Sequence, residues 1–175
     1  MTLSSKPSER SFEDLLSTAE HSAFHLEMRD VYAVSYEQQD FESWRKTGRW
    51  ENPAYWQPWI DLVGAAVRRG VVVRRAHVVS VPLSESARFE HAGTVNNLAA
   101  GEEVRWLPRS LAADLALPGT DFWVFDGRLV RFGHFTGDGE WIGQEIREEP
   151  AVAKLCASAF EAVWERATPH SRFQV

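Results

Sequence analysis

Cysteine is almost missing from the 175 residues: Cys156 stands alone. That excludes a disulfide framework and any zinc site built from several thiolates. Long apolar runs are missing too. None approaches the ~20 residues a membrane helix needs, and the polar stretch Met1–Arg10 has no apolar signal core. A cytoplasmic protein with no membrane partner is therefore expected. Positive charge is in deficit, with a formal net charge of −6. Long-range repulsion from a nucleic-acid backbone follows, so no direct DNA binding is expected. Lysine is scarcer still, at three residues (Lys6, Lys46, Lys154) against sixteen arginines, a bias more simply assigned to a GC-rich genome than to chemistry. Internal repeats, low-complexity tracts and Pro/Gly-rich linkers are also lacking. With 44% hydrophobic and 25% charged residues, the chain is neither disordered nor fibrous. It divides into a flexible tail over 1–10 and one domain over 11–175.

Tryptophan, by contrast, is abundant, with eight residues. Its large area and single N–H serve cores and interfaces alike. Four aromatics, Trp50, Tyr55, Trp56 and Trp59, fall within ten residues beside turn-forming Asn52 and Pro53. They are candidate anchors for a protein partner, or else they cap the core under a long connection.

Ser11 followed by Asp14 predicts a capped helix to about Glu20. From Ala23 to Tyr32, Phe24, Leu26 and Met28 alternate with His25, Glu27 and Arg29, the period of a half-buried strand. Ser35 to Lys46 reads as a polar helix stopped by Gly48, and Pro58 to Arg69 as a second helix ended by Gly70. Val71 to Ser80 reads as an interior strand that must place Arg74 and Arg75 on opposite faces. A helix from Ser84 to about Ala100, a strand over Glu103–Leu107 and a brief helix capped by Ser110 follow. Asp121–Phe125, Arg128–Phe135 and Glu140–Ile146 form a meander, with Asp126-Gly127 as its tight turn. Pro150 opens a final helix, with Val152, Leu155, Ala159, Phe160 and Val163 at helical spacing, and Leu155, Phe160, Val163 and part of Trp164 are expected to be buried against the sheet. Interleaved strands and helices give an α/β fold, a mixed β-sheet flanked by helices.

The familiar catalytic signatures are absent: no G-x-S-x-G, P-loop, G-x-G-x-x-G or H-E-x-x-H. His21 and His25 lack a carboxylate at a metal-ligand offset and read as surface histidines, so no metal site is assigned and no cofactor is expected. Cys156 reads as a small buried hydrophobe. Glu102-Glu103 and the run Glu145–Glu149 read as solvated faces. Arg68, Arg69, Arg74 and Arg75 offer either an anion cradle or structural pairing with carboxylates such as Glu90 or Asp61.

Residues 58–167 resemble the second half of a phospholipase D-like unit. The resemblance is carried by Leu117-Pro118, Asp121-Phe-Trp-Val-Phe-Asp126, the strand through Arg131, Glu149-Pro150, and a closing helix with Phe160, Trp164 and Ala167. Arg68-Arg69-Gly70 leading into Val71-Val-Val-Arg-Arg75, and the strand around Val104-Arg105-Trp106, extend it. Nearly the whole chain also resembles a family of small actinobacterial proteins of no assigned activity. The matching residues are Ser22-Ala-Phe-His-Leu-Glu-Met-Arg-Asp30, Val79-Ser-Val-Pro-Leu-Ser84, Arg88-Phe-Glu90, Gly101-Glu102, Leu107-Pro-Arg109 and Asp121-Phe-Trp123. Such proteins are often found beside helix-turn-helix regulators, which implies a regulatory accessory role.

Phospholipase D-type chemistry needs His-x-Lys-x-x-x-x-Asp: His attacks phosphorus, Lys binds phosphate oxygens and Asp supports the site. With Asp126 as the motif's Asp, Gly119 takes the His position and Asp121 the Lys position. No His in the chain is followed two residues later by Lys, so no other register restores the motif. Three functions stay open. The first is a non-catalytic regulatory module binding a protein partner, such as a helix-turn-helix regulator or a second copy, through Trp50, Tyr55, Trp56 and Trp59. The second is a sensor of small anionic ligands, with a remnant cleft lined by Arg74, Arg75, Glu90, Arg105, Arg109 and Asp126. The third is an enzyme using Glu90, His91 or Asp121 as acid or base.

Overall fold

The structure, a computed structural model, describes residues 10–175. The tail expected over 1–10 therefore lies, apart from Arg10, outside the described residues. Helix α1 (Phe12–Thr18) starts where the Ser11 hydroxyl accepts the Asp14 N–H and the Asp14 carboxylate accepts the Ser11 N–H, each at 3.1 Å. This capping box satisfies two backbone donors that a helix start leaves open. Strand β1 (Ser22–Glu27), helix α2 (Gln38–Thr47) and helix α3 (Gln57–Arg68) follow. Pro58 sits in the first turn of α3, and Gly70 leaves that helix with φ 94°, a conformation costly for residues with a Cβ.

Strand β2 (Val72–Val79) leads through α4 (Glu85–Ala100) to β3 (Glu103–Pro108). The Ser84 hydroxyl caps α4 by accepting the Ala87 N–H at 3.0 Å. Strands β4 (Phe122–Phe125), β5 (Leu129–Phe135) and β6 (Trp141–Arg147) form the meander. Asp126 and Gly127, both at positive φ, make its first turn. Helix α5 (Pro150–Arg166) and the two-residue strand β7 (Thr168–Pro169) end the fold. The brief helix after β3 is a 3-10 turn over Arg109–Ala112. Pro108 holds its cap position, so Ser110 lies inside the turn and does not cap it.

Seven strands make one mixed sheet in the order β6-β5-β4-β1-β2-β3-β7. Strands β1, β2 and β3 run parallel, with α3 and α4 in the crossovers, and β4–β6 continue antiparallel from β1. One face carries Leu26, Ala76, Val78, Phe122 and Val124 and packs on α5 through Cys156, Phe160, Val163 and Trp164. The other face carries Ala23, Val73, Trp123 and Phe125 under α1 and α3, while Val79, Val104 and Trp106 pack with Ala87 of α4. Among the described residues no helix is long and apolar enough to cross a membrane.

Strand β1 stops at Glu27, short of Tyr32, because the Met28 N–H leaves the ladder for the Asp121 carboxylate (2.8 Å). Its polar face is no solvent face, since the His25 and Glu27 side chains are 14% and 13% exposed. On α5, Leu155 is 50% exposed while Cys156 is fully buried. The rest of the expected stripe is buried, with Ala159, Phe160 and Val163 in the core and Val152 packed against it, so only the first turns differ, where Ala153 and Cys156 take the inward positions in place of Leu155. Phe160 is the core of that stripe, stacked on Phe24 with ring centroids 4.8 Å apart.

Urea denaturation of two variants checks which side of α5 is buried. Phe160→Ala is expected to lose about 3–5 kcal/mol of stability through the cavity it leaves, and Leu155→Ala to stay within about 0.5 kcal/mol of the parent. Equal losses at the two positions would contradict the docking of α5.

Candidate functional site

On the face opposite α5 the helices do not close over the sheet, and a cavity of about 440 Å³ remains. Its floor is the polar side of the central strands: His25 and Glu27 from β1, Arg75 and His77 from β2, Trp123 from β4 and Arg131 from β5. Helices α3 and α4 give the walls, with Trp59 from one and Phe89, Glu90 and Thr94 from the other. The connections from β1 to α3 fold over the top and contribute Tyr32, Tyr36, Glu37, Trp50, Tyr55 and Trp56. Gly93 seats that cover against α4, since a Cβ there would stand 2.9 Å from the Trp50 ring.

Arg75 is the electrostatic centre. Its Nε donates to Glu102 Oε2 at 2.9 Å, and its Nη1 lies 3.1 Å from Glu27 Oε1. The guanidinium also lies over the rings of Trp59 and Trp123 at 5.5 and 5.6 Å. Glu102 is fixed in turn: its Oε1 accepts the Trp59 indole N–H at 2.7 Å and an Asn97 amide N–H at 2.9 Å. Burial opposes the charge on Glu27, but Arg75, His77 and His25 more than offset it and hold the carboxyl well below the usual range. His77 Nδ1 stands 3.0 Å from Glu27 Oε2, its ring stacked on Trp106.

The remaining cavity groups are unbalanced. Burial, then repulsion from Glu27 and Glu37, pushes the Glu90 carboxyl well above its ordinary range. Burial, Glu27 and Asp40 raise Glu37 to about 7. Burial keeps His25 neutral, its pKa well below the usual value. Its ring stacks on Trp123 at 4.3 Å, and its Nδ1 is buried without a hydrogen-bond partner. Among the described residues no hydrogen bond reaches the Glu90 carboxyl, and the nearest group able to carry positive charge is His77, whose Nδ1 lies 4.0 Å away.

Of the residues singled out in the sequence, Arg75 and Glu90 meet in this cavity, together with Trp50, Tyr55, Trp56 and Trp59. The four aromatics are half-buried and line its walls and cover, so they do not form an outward patch. The other ligand candidates do not converge. Arg74 points to the α5 side, 5.0 Å over Trp164 and paired with Glu103. Arg105 lies over the same ring and donates to the Trp164 carbonyl. Arg109 donates to the Met28 and Val78 carbonyls. Asp126 accepts the Glu20, His21 and Ser22 backbone N–H groups. The expected arginine-lined cleft is therefore not assembled, and each outlying arginine has a structural partner.

Asp121 accepts the Met28 N–H and the Tyr32 hydroxyl, and burial raises it to about 6. His91 lies outside the cavity against Trp106 and His170, with burial and His170 lowering it to about 4. Sequence reasoning missed Glu102, His25, Glu27 and Glu37. Glu102 is 3% exposed and belongs to no solvated face; His25 lies on the cavity floor, and only His21 is a surface histidine. The arginine run does not gather into a cradle either. Arg69 donates to the Leu16 and Ala19 carbonyls at the end of α1. No group of three or more His, Cys, Asp or Glu among the described residues is arranged to hold a metal ion.

Residues 10–175 match the family described as a domain of unknown function, DUF6879, and the chain belongs to that family. No curated protein matches it in sequence. Its fold is similar to the crystal structure of a phospholipase D family member, Nuc from Salmonella typhimurium. The two share a TM-score of 0.52 and 13% identity, over 90% of this chain and 86% of that one. At that identity the likeness establishes the fold and nothing about chemistry.

Removing Glu102 leaves Arg75 with Glu27 as its single carboxylate partner, so Glu102→Ala should cost about 3–5 kcal/mol, the usual penalty for breaking a buried pair. Chemical denaturation measures it, and a loss below about 1 kcal/mol, typical of a surface pair, contradicts the arrangement. Glu37 gives a pH signature. Its folded pKa lies above the unfolded value, so the native state holds its proton longer and stability falls as pH rises from about 4.5 to 7. Glu37→Gln should remove that decline and raise the melting temperature at pH 8. An unchanged profile between pH 5 and 8 shows that Glu37 titrates normally.

Proposed function

We propose that the protein is a non-catalytic receptor for a small molecule, a phospholipase D-like unit that uses its covered cavity for binding. One observation carries this. A chamber of about 440 Å³, within the size range of ligand sites, is lined by aromatic rings and holds buried polar atoms, His25 Nδ1 and the indole nitrogens of Trp50 and Trp56, that have no hydrogen-bond partner among the described residues. Buried polar groups left without partners are costly, and a ligand is the usual remedy. A hydrolytic role has no such support, because Gly119 supplies no nucleophile and Asp121 supplies no cation.

The resemblance to actinobacterial proteins found beside helix-turn-helix regulators supplies the setting. Cytoplasmic and without direct contact to DNA, the receptor would pass ligand occupancy to such a regulator. The segment covering the cavity is the natural transmitter, since ligand and cover share Trp50, Tyr55 and Trp56.

Native mass spectrometry of the protein purified from its own host is the direct test. A non-covalent small-molecule increment is expected, lost on denaturation and reduced in Trp50→Ala and Trp56→Ala. The same preparation should not turn over bis(4-nitrophenyl) phosphate. A bare polypeptide mass, or turnover that disappears in Asp126→Ala, overturns the receptor reading.

A further inference from the structure

Resting on the receptor reading, we propose that the ligand is a small organic cation: a protonated amine or guanidine on a flat apolar body, with Glu90 as its counter-ion. An anionic ligand is one of the readings the sequence leaves open, but of the two guanidinium groups lining the cavity only Arg131 lacks a carboxylate partner among the described residues, against the two carboxylates Glu37 and Glu90. Arg75 is already divided between Glu27 and Glu102. Arg131 donates to Gln144 Oε1 and lies between the rings of Phe12 and Trp141. Arg75 is thus neutralised by its two carboxylates and Arg131 is held through its Nε and two rings, so an incoming carboxylate or phosphate would meet one open guanidinium against Glu27, Glu37 and Glu90.

Those acids form the opposite kind of site. Glu90 faces the cavity from α4 with no hydrogen bond to its carboxyl among the described residues, and Glu37 lines the same space from the connection after β1. Both are pushed towards the neutral form, by burial first and then by neighbouring carboxylates. Such a pair is relieved when a positive charge enters. The His25 imidazole, neutral and with an unpartnered Nδ1, is able to accept a hydrogen bond from an ammonium or guanidinium N–H.

The aromatic lining favours the same sign. Trp50 and Trp56 meet edge to face at 6.4 Å, and Trp50 also packs on Phe89 at 5.2 Å. The faces of such rings carry negative potential and attract desolvated cations. The volume leaves room for a fused bicyclic ring together with its charged arm. A bare metal ion would gain little here, since no three ligating side chains converge among the described residues.

Calorimetric titration of the full-length protein with three matched probes separates the possibilities. They are tryptamine (cationic), tryptophol (neutral) and indole-3-acetate (anionic), which share one ring system. At pH 7.5 tryptamine should bind at least tenfold more tightly than tryptophol, with indole-3-acetate weakest. Glu90→Gln keeps the shape and removes the charge, so it should erase the preference for tryptamine while leaving tryptophol affinity and the cooperative melt intact. If Glu90→Gln fails to fold, Glu37→Gln is expected to weaken tryptamine selectively by a smaller factor. Tryptophol or indole-3-acetate binding as tightly as tryptamine overturns the cation and leaves the receptor standing. A folded Glu90→Gln variant that retains the charge preference does the same. No binding by any probe, combined with a bare mass from the native host, overturns both.

Discussion

Arg75 carries a full charge from an interior strand into a space closed by tryptophans. Such a charge is tolerable only when its partners are already in place. Glu27 comes from the neighbouring strand β1 and Glu102 from the turn that ends α4, so the pairing locks sheet, helix and turn into one arrangement. Gly101 makes it possible. Its positive φ reverses the chain directly after α4, and the Glu102 N–H returns to the Asn97 carbonyl. The Glu102 side chain is thereby delivered inward to accept from Trp59, Asn97 and Arg75 together. Replaced by apolar side chains, this face would fill with core, as the α5 face does. A cavity survives because its floor is ionic and cannot be packed with hydrocarbon.

The frame is phospholipase D-like in its fold, and within it Asp121 and Asp126 have structural duties. Asp121 ties the chain leaving β1 to the edge of β4 through Met28 and Tyr32. Asp126, in a left-handed turn, gathers three successive backbone N–H groups from the start of β1, which holds its own pKa down against partial burial. A carboxylate saturated in this way has no capacity left to support a nucleophile. Buried polar atoms without partners among the described residues line the cavity above β1 and β2, at His25, Trp50 and Trp56 among others.

The periodic parts of the chain are legible from sequence. The capping box, the Gly70 and Gly101 helix stops, the Asp126-Gly127 turn and the opposite faces of Arg74 and Arg75 are local facts, and local physics settles them. What escapes is tertiary. Alternation along β1 identifies a polar face without revealing whether water or a helix lies beyond it, so His25 and Glu27 look like surface residues. Glu102 beside Glu103 looks like a solvated pair, because two adjacent acids share a charge although the Gly101 turn sends Glu102 inward and Glu103 starts β3 on the exposed side. The aromatics from Trp50 to Trp59 are recognisable as a cluster, but their direction depends on Gly93, a helix glycine whose purpose appears only when the Trp50 ring lies against it.

Counting arginines misleads in this chain because several of those described serve as internal fasteners. Arg69, Arg105 and Arg109 donate to backbone carbonyls at helix and strand ends, where a planar fork reaches acceptors that a lysine ammonium would hold less firmly. Arg74 and Arg105 both lie over the Trp164 ring, and Arg166 closes on Asp114. Each such contact removes a cation from the pool that could meet a phosphate or carboxylate from outside. The acids are not withdrawn to the same extent. Glu90 and Glu37 remain in the cavity against one guanidinium, Arg131, that no carboxylate among the described residues pairs, so the balance there is acidic despite the many arginines. The net charge of −6 describes the surface reasonably well. Inside, the sign of the binding site is decided by which few charges the fold leaves unpaired.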